Sequence, residues 1–365
     1  MNKETLTRFK DLLSVPSKTY QEDQMVEYIS WVLDTIPGVE YYTDEMNNIY
    51  ATKKQEGFNG HFPMFIAHTD TVHSLVPEIV VEEQYLPKPP TFGKTFDDTE
   101  HHVLKAYTPD GNPTGIGGDD KAGIFICLEL LRVLSNVKVG LFVSEETGCH
   151  GSSKCDIDFL NDVGYAIQFD APGDHLITEY CSGVQLFERD SEFGERAVRV
   201  IENTMGTKLE LQSHPYTDVS QIKMKSDFVC LNMSCGYYNM HTSNEFISTE
   251  DVDKAIRSGI NLVNELGFEK YEYHFKKNNL TYGYGNLFDV DSLRDDDFDD
   301  WDSTLGDGLY DEEDTVELDD NIVHKEWSGV SIISKHTGES VWLSDEECAS
   351  LYEIIREKVL FKGVE

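Results

Sequence analysis

Hydrophobic residues near the N-terminus follow first a helical and then a strand period. Two amphipathic stretches, LTRFKDLLSV and QEDQMVEYISWVLDTI, are separated by a Pro-Ser break, and the second ends at Pro37-Gly38. They predict two helices within residues 1–37. A strand-like stretch, VEYYTDEMNNIYATK, precedes the apolar run HFPMFIAHTDTV, whose branched and aromatic residues are typical of a buried strand. Residues 74–113 are Pro-rich and polar, and we interpret them as an excursion with a hairpin turn at Asp110-Gly111-Asn112.

The middle of the chain continues to alternate between the two periods. The glycine-rich stretch GIGGDDKAG opens an apolar helix, IFICLELLRVLS, and two apolar runs, VKVGLFVSEETG and VGYAIQFDAPG, predict buried strands. Further on, a loop and helix (HPYTDVSQIKM), a strand (FVCLNMSCGYYNMHTSNEFIS) and a helix capped at Ser248 (STEDVDKAIRSGINLVNELG) are expected. This alternation predicts a three-layer α/β/α fold, in which helices cover a mixed, mostly parallel sheet.

The C-terminal part differs in composition. From about Asp289 to Asp320 the chain is dominated by Asp and Glu, and Arg294 is the one basic residue there, which is typical of a flexible acidic segment. After it, SGVSIISK is strand-like and LSDEECASLYEIIREKV predicts a capped amphipathic helix. We therefore predict a main domain at 1–282, a flexible acidic segment at 283–320 and a small α/β appendage at 321–365.

Charge and cysteine usage exclude several classes of protein. The formal net charge of −38 argues against nucleic acid and anionic membranes as partners, because phosphate groups would be repelled. The first residues lack the apolar core of a secretory signal, and no run approaches the roughly 20 apolar residues of a membrane helix, so we expect a cytoplasmic protein. The seven cysteines are scattered without a Cys-x-x-Cys pair, which favours free, buried thiols over a thiolate zinc site.

Ionisable residues end three of the predicted strands, where open α/β sheets bind their ligands. His68 and Asp70 lie two residues apart and therefore on one face, so the carboxylate can orient the imidazole. Asp119 and Asp120 are adjacent carboxylates among glycines, and if buried they require a cation or a shared proton. Each motif also has a plain alternative: a polar strand end for the first, and a solvated capping pair for the second.

Glu145 and Glu146 are adjacent residues that leave a strand in different directions, so one can bind metal while the other faces a water molecule. A free carboxylate there can remove the proton of a metal-activated water and deliver it to a leaving amine. Asp170 ends another strand, and His241 follows an aromatic stretch, where a lone histidine would often be structural. Together the nitrogen and oxygen donors suit Zn²⁺, with Mn²⁺ or Co²⁺ as alternatives.

The motifs AHTDTV, GIGGDDKAG, SEETG, FDAPG and NMHTSNEF, in this order, resemble the peptidase T, carboxypeptidase and aminoacylase-like family of di-zinc exopeptidases. The resemblance implies the zinc-exopeptidase (phosphorylase/hydrolase-like) fold, with a single catalytic domain. It also implies two metal ions bridged by Asp119, with His68 and Asp170 completing one site and Glu146 and His241 the other. Glu145 would be the general base, Asp70 would orient His68, and the peptide bond between Asp119 and Asp120 would be cis.

The sequence departs from this family in one respect. Its members usually carry an inserted lid domain for dimerisation and substrate binding between the motifs of Asp170 and His241, but only about 70 residues separate them here. We therefore expect no lid domain and no oligomerisation through one. His214, Tyr216 and Asp218 are candidates to replace its substrate contacts, since Tyr or His can donate to a developing oxyanion; an ordinary polar loop is the alternative.

The leading functional hypothesis is a metal-dependent exopeptidase, an aminopeptidase on short peptides, that uses a water bridging the two metals and Glu145 as general base. An N-acyl amino acid deacylase or amidase would share the same residues and stays open as an alternative. A third hypothesis is a non-catalytic metal-binding or partner-binding protein on a peptidase scaffold.

Overall fold

The computed structural model describes residues 1–88, 99–181, 183–214 and 216–274, and beyond them four strands between residues 315 and 344. Residue contacts divide the chain into two compact units, Met1–Asn279 and Leu280–Glu365. The finer division predicted from the sequence, into a domain, an acidic segment and an appendage, stays a prediction.

The strands of the first unit form two sheets. Among the described residues the larger sheet has nine strands: β1 (Val39–Thr43), β2 (Ile49–Lys53), β3 (Phe62–His68), β7 (Val137–Phe142), β8 (Val163–Ala171), β9 (Leu176–Cys181), β10 (Val184–Gln185), β11 (Glu210–His214) and β12 (Val229–Ser234). The smaller sheet, counted over the same ranges, has five: β4 (Val80–Pro87), β5 (Glu100–Tyr107), β6 (Pro113–Thr114), β13 (Tyr237–Tyr238) and β14 (Phe246–Ser248).

Helices surround the larger sheet. They are α1 (Lys3–Leu13), α2 (Asp23–Asp34), α3 (Gly118–Val133), α4 (His150–Ser153), α5 (Glu192–Met205), α6 (Asp218–Met224) and α7 (Thr249–Leu266). In the described ranges no helix is long and apolar enough to cross a membrane. The cap predicted at Ser248 is confirmed, because its side chain accepts a hydrogen bond from the backbone N–H of Asp251 at the start of α7.

The larger sheet is mixed, with a parallel centre. Its strand order is β1-β2-β7-β3-β8-β12-β9-β10, and β11 pairs with β9. The central strands β7, β3, β8 and β12 are parallel, whereas β1, β2 and β10 are joined antiparallel at the edges. Every residue of these central strands is buried, because helices cover both faces. The predicted three-layer α/β fold with a mixed sheet is confirmed.

The smaller sheet was not predicted. Residues 80–87 and 100–107 pair antiparallel over eight positions, in a region whose prolines and charged residues favoured an excursion. The turn predicted within that region does occur, since Gly111 donates its N–H to the carbonyl oxygen of Thr108 at 2.9 Å and has a left-handed φ of 81°. The strands β4 and β5 have mostly half-buried or exposed side chains, so their sequence lacks the apolar signal of the central strands.

The segment between Asp170 and His241 extends the larger sheet. It contributes β9, β10, β11 and β12 together with α5 and α6. It belongs to the same compact unit as the rest of residues 1–279. In its described part this segment thus adds strands and helices to the first unit, and the absence of a lid domain stays a prediction.

The second unit contains an antiparallel sheet. Its strands β15 (Thr315–Glu317), β16 (Asn321–Glu326), β17 (Gly329–Ser334) and β18 (Ser340–Ser344) pair in chain order. The strand predicted from SGVSIISK corresponds to β17. The predicted C-terminal helix and most of the acidic segment lie outside the described residues.

Candidate metal and catalytic site

Neighbouring parallel strands bring the predicted residues to one edge of the larger sheet. His68 is the last residue of β3, Asp170 lies near the end of β8, and Glu145 follows β7 by three residues. Asp119 lies at the start of α3, and His241 lies in the loop between β13 and β14. Because β3 lies between β7 and β8 in the sheet, the carboxyl ends of these strands converge as predicted.

The carboxylate of Asp119 contacts both candidate histidine ligands. Its Oδ1 lies 3.0 Å from Nε2 of His68, and its Oδ2 lies 3.3 Å from Nε2 of His241. The Nε2 atom of His68 is also 3.6 Å from Oδ1 of Asp170, and that of His241 is 3.2 Å from Oε2 of Glu146. Donor atoms about 2.1 Å from a tetrahedral zinc ion lie about 3.4 Å apart, so these distances fit two metal positions that share Asp119.

Two groups of donors lie close enough to hold an ion. One comprises His68, Asp119 and Glu146, and the other His68, Asp120 and Asp170; within each group the donor atoms lie within 4.8 Å of one another. The second group contains Asp120 in the place that the resemblance gives to Asp119. Asp120 already accepts hydrogen bonds from the backbone N–H groups of His68 and Gly123, at 3.2 and 3.0 Å, so Asp119 is the better placed of the two to bind metal.

Buried negative charge at this edge also fits bound cations. Several carboxyl groups, which belong to Asp70, Asp119, Asp120, Glu145, Asp170 and Asp218, are at most 8% exposed. Burial and the nearby Asp119 raise the pKa of Glu146 to about 7, and its Oε1 atom has no hydrogen-bond partner among the described residues. A carboxylate oxygen that is buried and unpaired is costly unless a cation or proton is added.

Asp70 connects the histidine ligand to the loop of the candidate base. Its Oδ1 lies 3.3 Å from Nδ1 of His68 and accepts the backbone N–H of Glu145 at 2.9 Å. Its Oδ2 accepts the backbone N–H of Glu146 at 3.2 Å and the hydroxyl of Thr19 at 2.9 Å. Asp70 is thus placed to orient His68, as the sequence predicts, and it also fixes the turn that carries Glu145 and Glu146.

Glu145 is buried beside the donor atoms. Burial raises the pKa of its carboxyl group well above the usual range, and the nearby carboxylates of Asp170 and Asp218 add to this effect. Its Oε1 atom is 3.7 Å from the thiol of Cys149. A raised pKa makes the carboxylate of Glu145 a stronger base, which is the direction that a general base requires.

Asp119 and Asp120 are joined by a cis peptide bond, as the resemblance implies.

Asp170 is held by hydrogen bonds from several directions. Its Oδ2 accepts hydrogen bonds from Thr217 at 2.9 Å and from Gln168 at 3.2 Å, and its backbone N–H donates to Oδ1 of Asn232 at 2.9 Å. Such partners fix the orientation of the Asp170 carboxylate, as is typical of carboxylates that bind metal.

Solved structures share this arrangement of strands and helices. The chain is similar to aminopeptidase PepT from Bacillus cereus, with a TM-score of 0.58 and 16% identity over 73% of this chain and 99% of that one. A tripeptidase from Staphylococcus aureus has a TM-score of 0.54 and 14% identity over 73% of this chain and 98% of that one. For an aminopeptidase from the archaeon Desulfurococcus kamchatkensis the TM-score is 0.52 and the identity 15%, over 72% of this chain and 95% of that one. The chain has the zinc-exopeptidase fold. The resemblance inferred from the motifs is therefore confirmed in its fold. No protein-family model matches the sequence, and no curated protein matches it either.

Within this zinc-exopeptidase fold, Glu245 is a site residue that the sequence analysis missed. Its buried carboxylate accepts the backbone N–H groups of Gly117 at 2.9 Å and Asp119 at 3.1 Å, and it lies 2.7 Å from Nε2 of His73. It therefore fixes the backbone that carries the shared carboxylate. Its place in the NMHTSNEF motif, four residues after His241, was the available signal.

The three candidate substrate residues have different surroundings. Tyr216 is 40% exposed, and its hydroxyl donates to the carbonyl oxygen of Glu146 at 3.3 Å, which places it at the rim of the site. His214 is half-buried, and its Nδ1 lies 2.6 Å from the carbonyl oxygen of Tyr216. Asp218 is fully buried, and burial together with the charges of Asp170 and Asp70 raises its pKa to about 8. Of the three, Tyr216 has both the exposure and the proximity that a substrate contact requires.

Proposed function

We propose that the chain is a co-catalytic two-metal exopeptidase that removes N-terminal residues from short peptides. The observation that carries this proposal is the carboxylate of Asp119, one oxygen of which contacts His68 while the other contacts His241. Asp170 and Glu146 stand next to these histidines at 3.6 and 3.2 Å. The donor set of imidazoles and carboxylates suits Zn²⁺, and Mn²⁺ or Co²⁺ are alternatives.

Two such metals, when bound, would activate a water molecule and polarise the carbonyl group of the scissile bond. The chain itself supplies the proton transfer. Glu145 accepts the proton of the attacking water and returns it to the leaving amine. Asp70 contacts both the imidazole of His68 and the backbone N–H of Glu145, and so fixes their positions relative to each other. The hydroxyl of Tyr216 is our candidate donor to the developing oxyanion.

The charge of the site supports an aminopeptidase over a deacylase of N-acyl amino acids. Among the described residues, the hydrogen bonds and ion pairs of Glu145 and the five candidate ligands involve carboxylates, imidazoles, hydroxyls, amides, a thiol and backbone groups, and none involves Lys or Arg. A deacylase substrate carries a free carboxylate, for which these contacts supply no cationic side chain, whereas a carboxylate of the site that binds no metal can pair with the ammonium group of a peptide N-terminus.

The direct test is peptide hydrolysis with added Zn²⁺, Mn²⁺ or Co²⁺. We expect cleavage of di- and tripeptides with a free N-terminus, little cleavage of N-acetyl amino acids, and a loss of about 10²–10⁴-fold in kcat for Glu145→Gln. The matched control is Glu40→Gln on the exposed face of β1, which removes the same charge and should keep full activity.

Metal binding, measured by calorimetry, separates a catalytic defect from a structural one. Glu145→Gln should bind metal like the wild type. If the wild type and Glu145→Gln are equally inactive on a broad peptide panel while both bind metal, the exopeptidase proposal is wrong and a binding role takes its place.

A further inference from the structure

The connection between α1 and α2, residues 14–22, packs against one loop of the site. The hydroxyl of Ser17 donates to the carbonyl oxygen of Thr69, and the hydroxyl of Thr71 donates back to the carbonyl oxygen of Ser17 at 2.6 Å. The backbone N–H of Thr19 donates to the carbonyl oxygen of Thr71 at 3.2 Å, and its hydroxyl reaches Asp70. Residues 69–71 are therefore held by an element that is distant from them in sequence.

Glu22, at the end of the same connection, binds the second loop of the site. Its Oε1 atom accepts hydrogen bonds from both the backbone N–H and the hydroxyl of Ser144, each at 3.1 Å. Ser144 directly precedes Glu145 in the sequence. Its φ is +54°, a left-handed conformation that residues other than glycine adopt rarely and at a cost. The contact with Glu22 thus holds the turn in a conformation that serine does not favour.

Glu22 lies at the start of α2 but does not cap that helix with its side chain. It occupies the N-cap position of α2, where an acidic side chain can bond to the free N–H groups of the first turn. Its side chain makes no such capping bond. It is only 7% exposed, and withdrawing a carboxylate from water costs free energy that its hydrogen bonds must offset. Capping of α2 therefore does not explain why the carboxylate of Glu22 is buried, whereas its two hydrogen bonds to Ser144 do.

We propose that Glu22 is a positioning residue that holds the turn at Ser144 so that the carboxylate of Glu145 faces the reacting water. In the described residues the side chain of Glu22 bonds to Ser144 and to none of the candidate ligands, so it acts through the backbone that carries Glu145. This inference rests on the proposed function, since the role of Glu145 as a base belongs to it. Displacement of a catalytic group by about 1 Å can lower a rate by about 100-fold.

The experiment compares Glu22→Ala with Glu22→Gln in the full-length, metal-loaded protein. Glu22→Ala, measured at saturating metal, should lower kcat by about 10- to 100-fold with KM changed by less than about twofold. Metal is kept saturating because Glu146, a candidate ligand, lies in the same turn as Ser144. Glu22→Gln keeps an acceptor oxygen for Ser144 and should recover most of the lost kcat. Glu27→Ala, an exposed position on the same helix, is the matched control and should keep the wild-type kcat.

Hydrogen exchange provides a second measurement that does not depend on activity. In Glu22→Ala the amides of residues 143–147 should exchange faster, while those of the other described strands remain as in the wild type. The proposal is overturned if Glu22→Ala lowers only the melting temperature and leaves both kcat and the exchange of residues 143–147 unchanged. Should the wild type hydrolyse no peptide, the proposed function fails, yet the exchange measurement still decides whether Glu22 holds the turn.

Discussion

At the scale of single residues, Asp70 is the group on which most of the site depends. Its two carboxylate oxygens face only donors: the ring of His68, the hydroxyl of Thr19 and the backbone N–H groups of Glu145 and Glu146. Burial opposes ionisation and raises the pKa of Asp70, but these contacts outweigh it and lower the pKa below its usual value. The contact with His68 has the largest lowering effect. Asp70 is therefore held as an anion that links a candidate ligand to the candidate base.

The substitution Asp70→Asn tests this role. An amide must direct its NH2 group at one of the donors, so the turn at Glu145 or the ring of His68 must shift. We expect a loss of about 10- to 100-fold in metal affinity or kcat, measured by calorimetry and peptide hydrolysis. The control is Asp251→Asn, a buried carboxylate that contacts Lys88 and Tyr238; it should lower stability but not metal affinity. Equal metal affinity and kcat in Asp70→Asn and the wild type would refute the role.

The candidate ligands could be predicted from the sequence because their spacing along parallel strands already fixes where they meet. His68, Asp170 and Glu145 each stand at the end of an apolar run, and neighbouring strands bring such ends together. Glu22 and Glu245 could not be found in this way, because their partners are distant in sequence: Ser144 for the first, and the backbone of Gly117 and Asp119 for the second. No local pattern distinguishes Glu22 from other acidic residues near a helix, and for Glu245 the one local signal is its place in the NMHTSNEF motif.

At the scale of elements, the N-terminus of α7 forms as its local sequence predicts. Ser248 caps the helix, as its Ser-Thr-Glu sequence predicts, and α7 packs against α3 and α5. By contrast β4 and β5 gave no apolar period, and their pairing arises from long-range backbone hydrogen bonds rather than from side-chain pattern. Capping and buried strands are thus readable from the sequence, whereas a half-exposed antiparallel pair is not.

The substitution Ser248→Ala should therefore destabilise the protein without affecting its chemistry. Loss of the bond from the backbone N–H of Asp251, at 3.3 Å, should lower the free energy of unfolding by about 1 kcal/mol, as measured by denaturant titration. Ser258→Ala is the matched control, because the buried hydroxyl of Ser258 has no partner in the described part of the chain. An equal effect of both substitutions would show that the cap contributes nothing beyond the loss of a hydroxyl.

At the scale of the whole molecule, charge is the dominant property. The chain carries a formal charge of −38, and several of its buried carboxyl groups are gathered at one edge of the larger sheet. Mutual repulsion of these groups opposes folding, and bound divalent cations relieve it. The stability of this unit and the occupation of its candidate metal site should therefore be coupled, since a ligand that binds only the folded state stabilises that state.

Removal of metal is the test of this coupling. At a free metal concentration about 100 times the dissociation constant, binding should add about 2.7 kcal/mol to the free energy of unfolding, so chelation should lower the melting temperature measured by calorimetry and added Zn²⁺ should restore it. Sodium chloride at matched ionic strength screens the general charge and should give a smaller shift of the melting temperature.

In Asp119→Asn, which lacks the shared carboxylate, Zn²⁺ should stabilise the protein far less than in the wild type. Asp190→Asn, at an exposed position, should respond to Zn²⁺ like the wild type. An identical response of Asp119→Asn and the wild type to Zn²⁺ would mean that the stabilising ions bind elsewhere on this acidic chain.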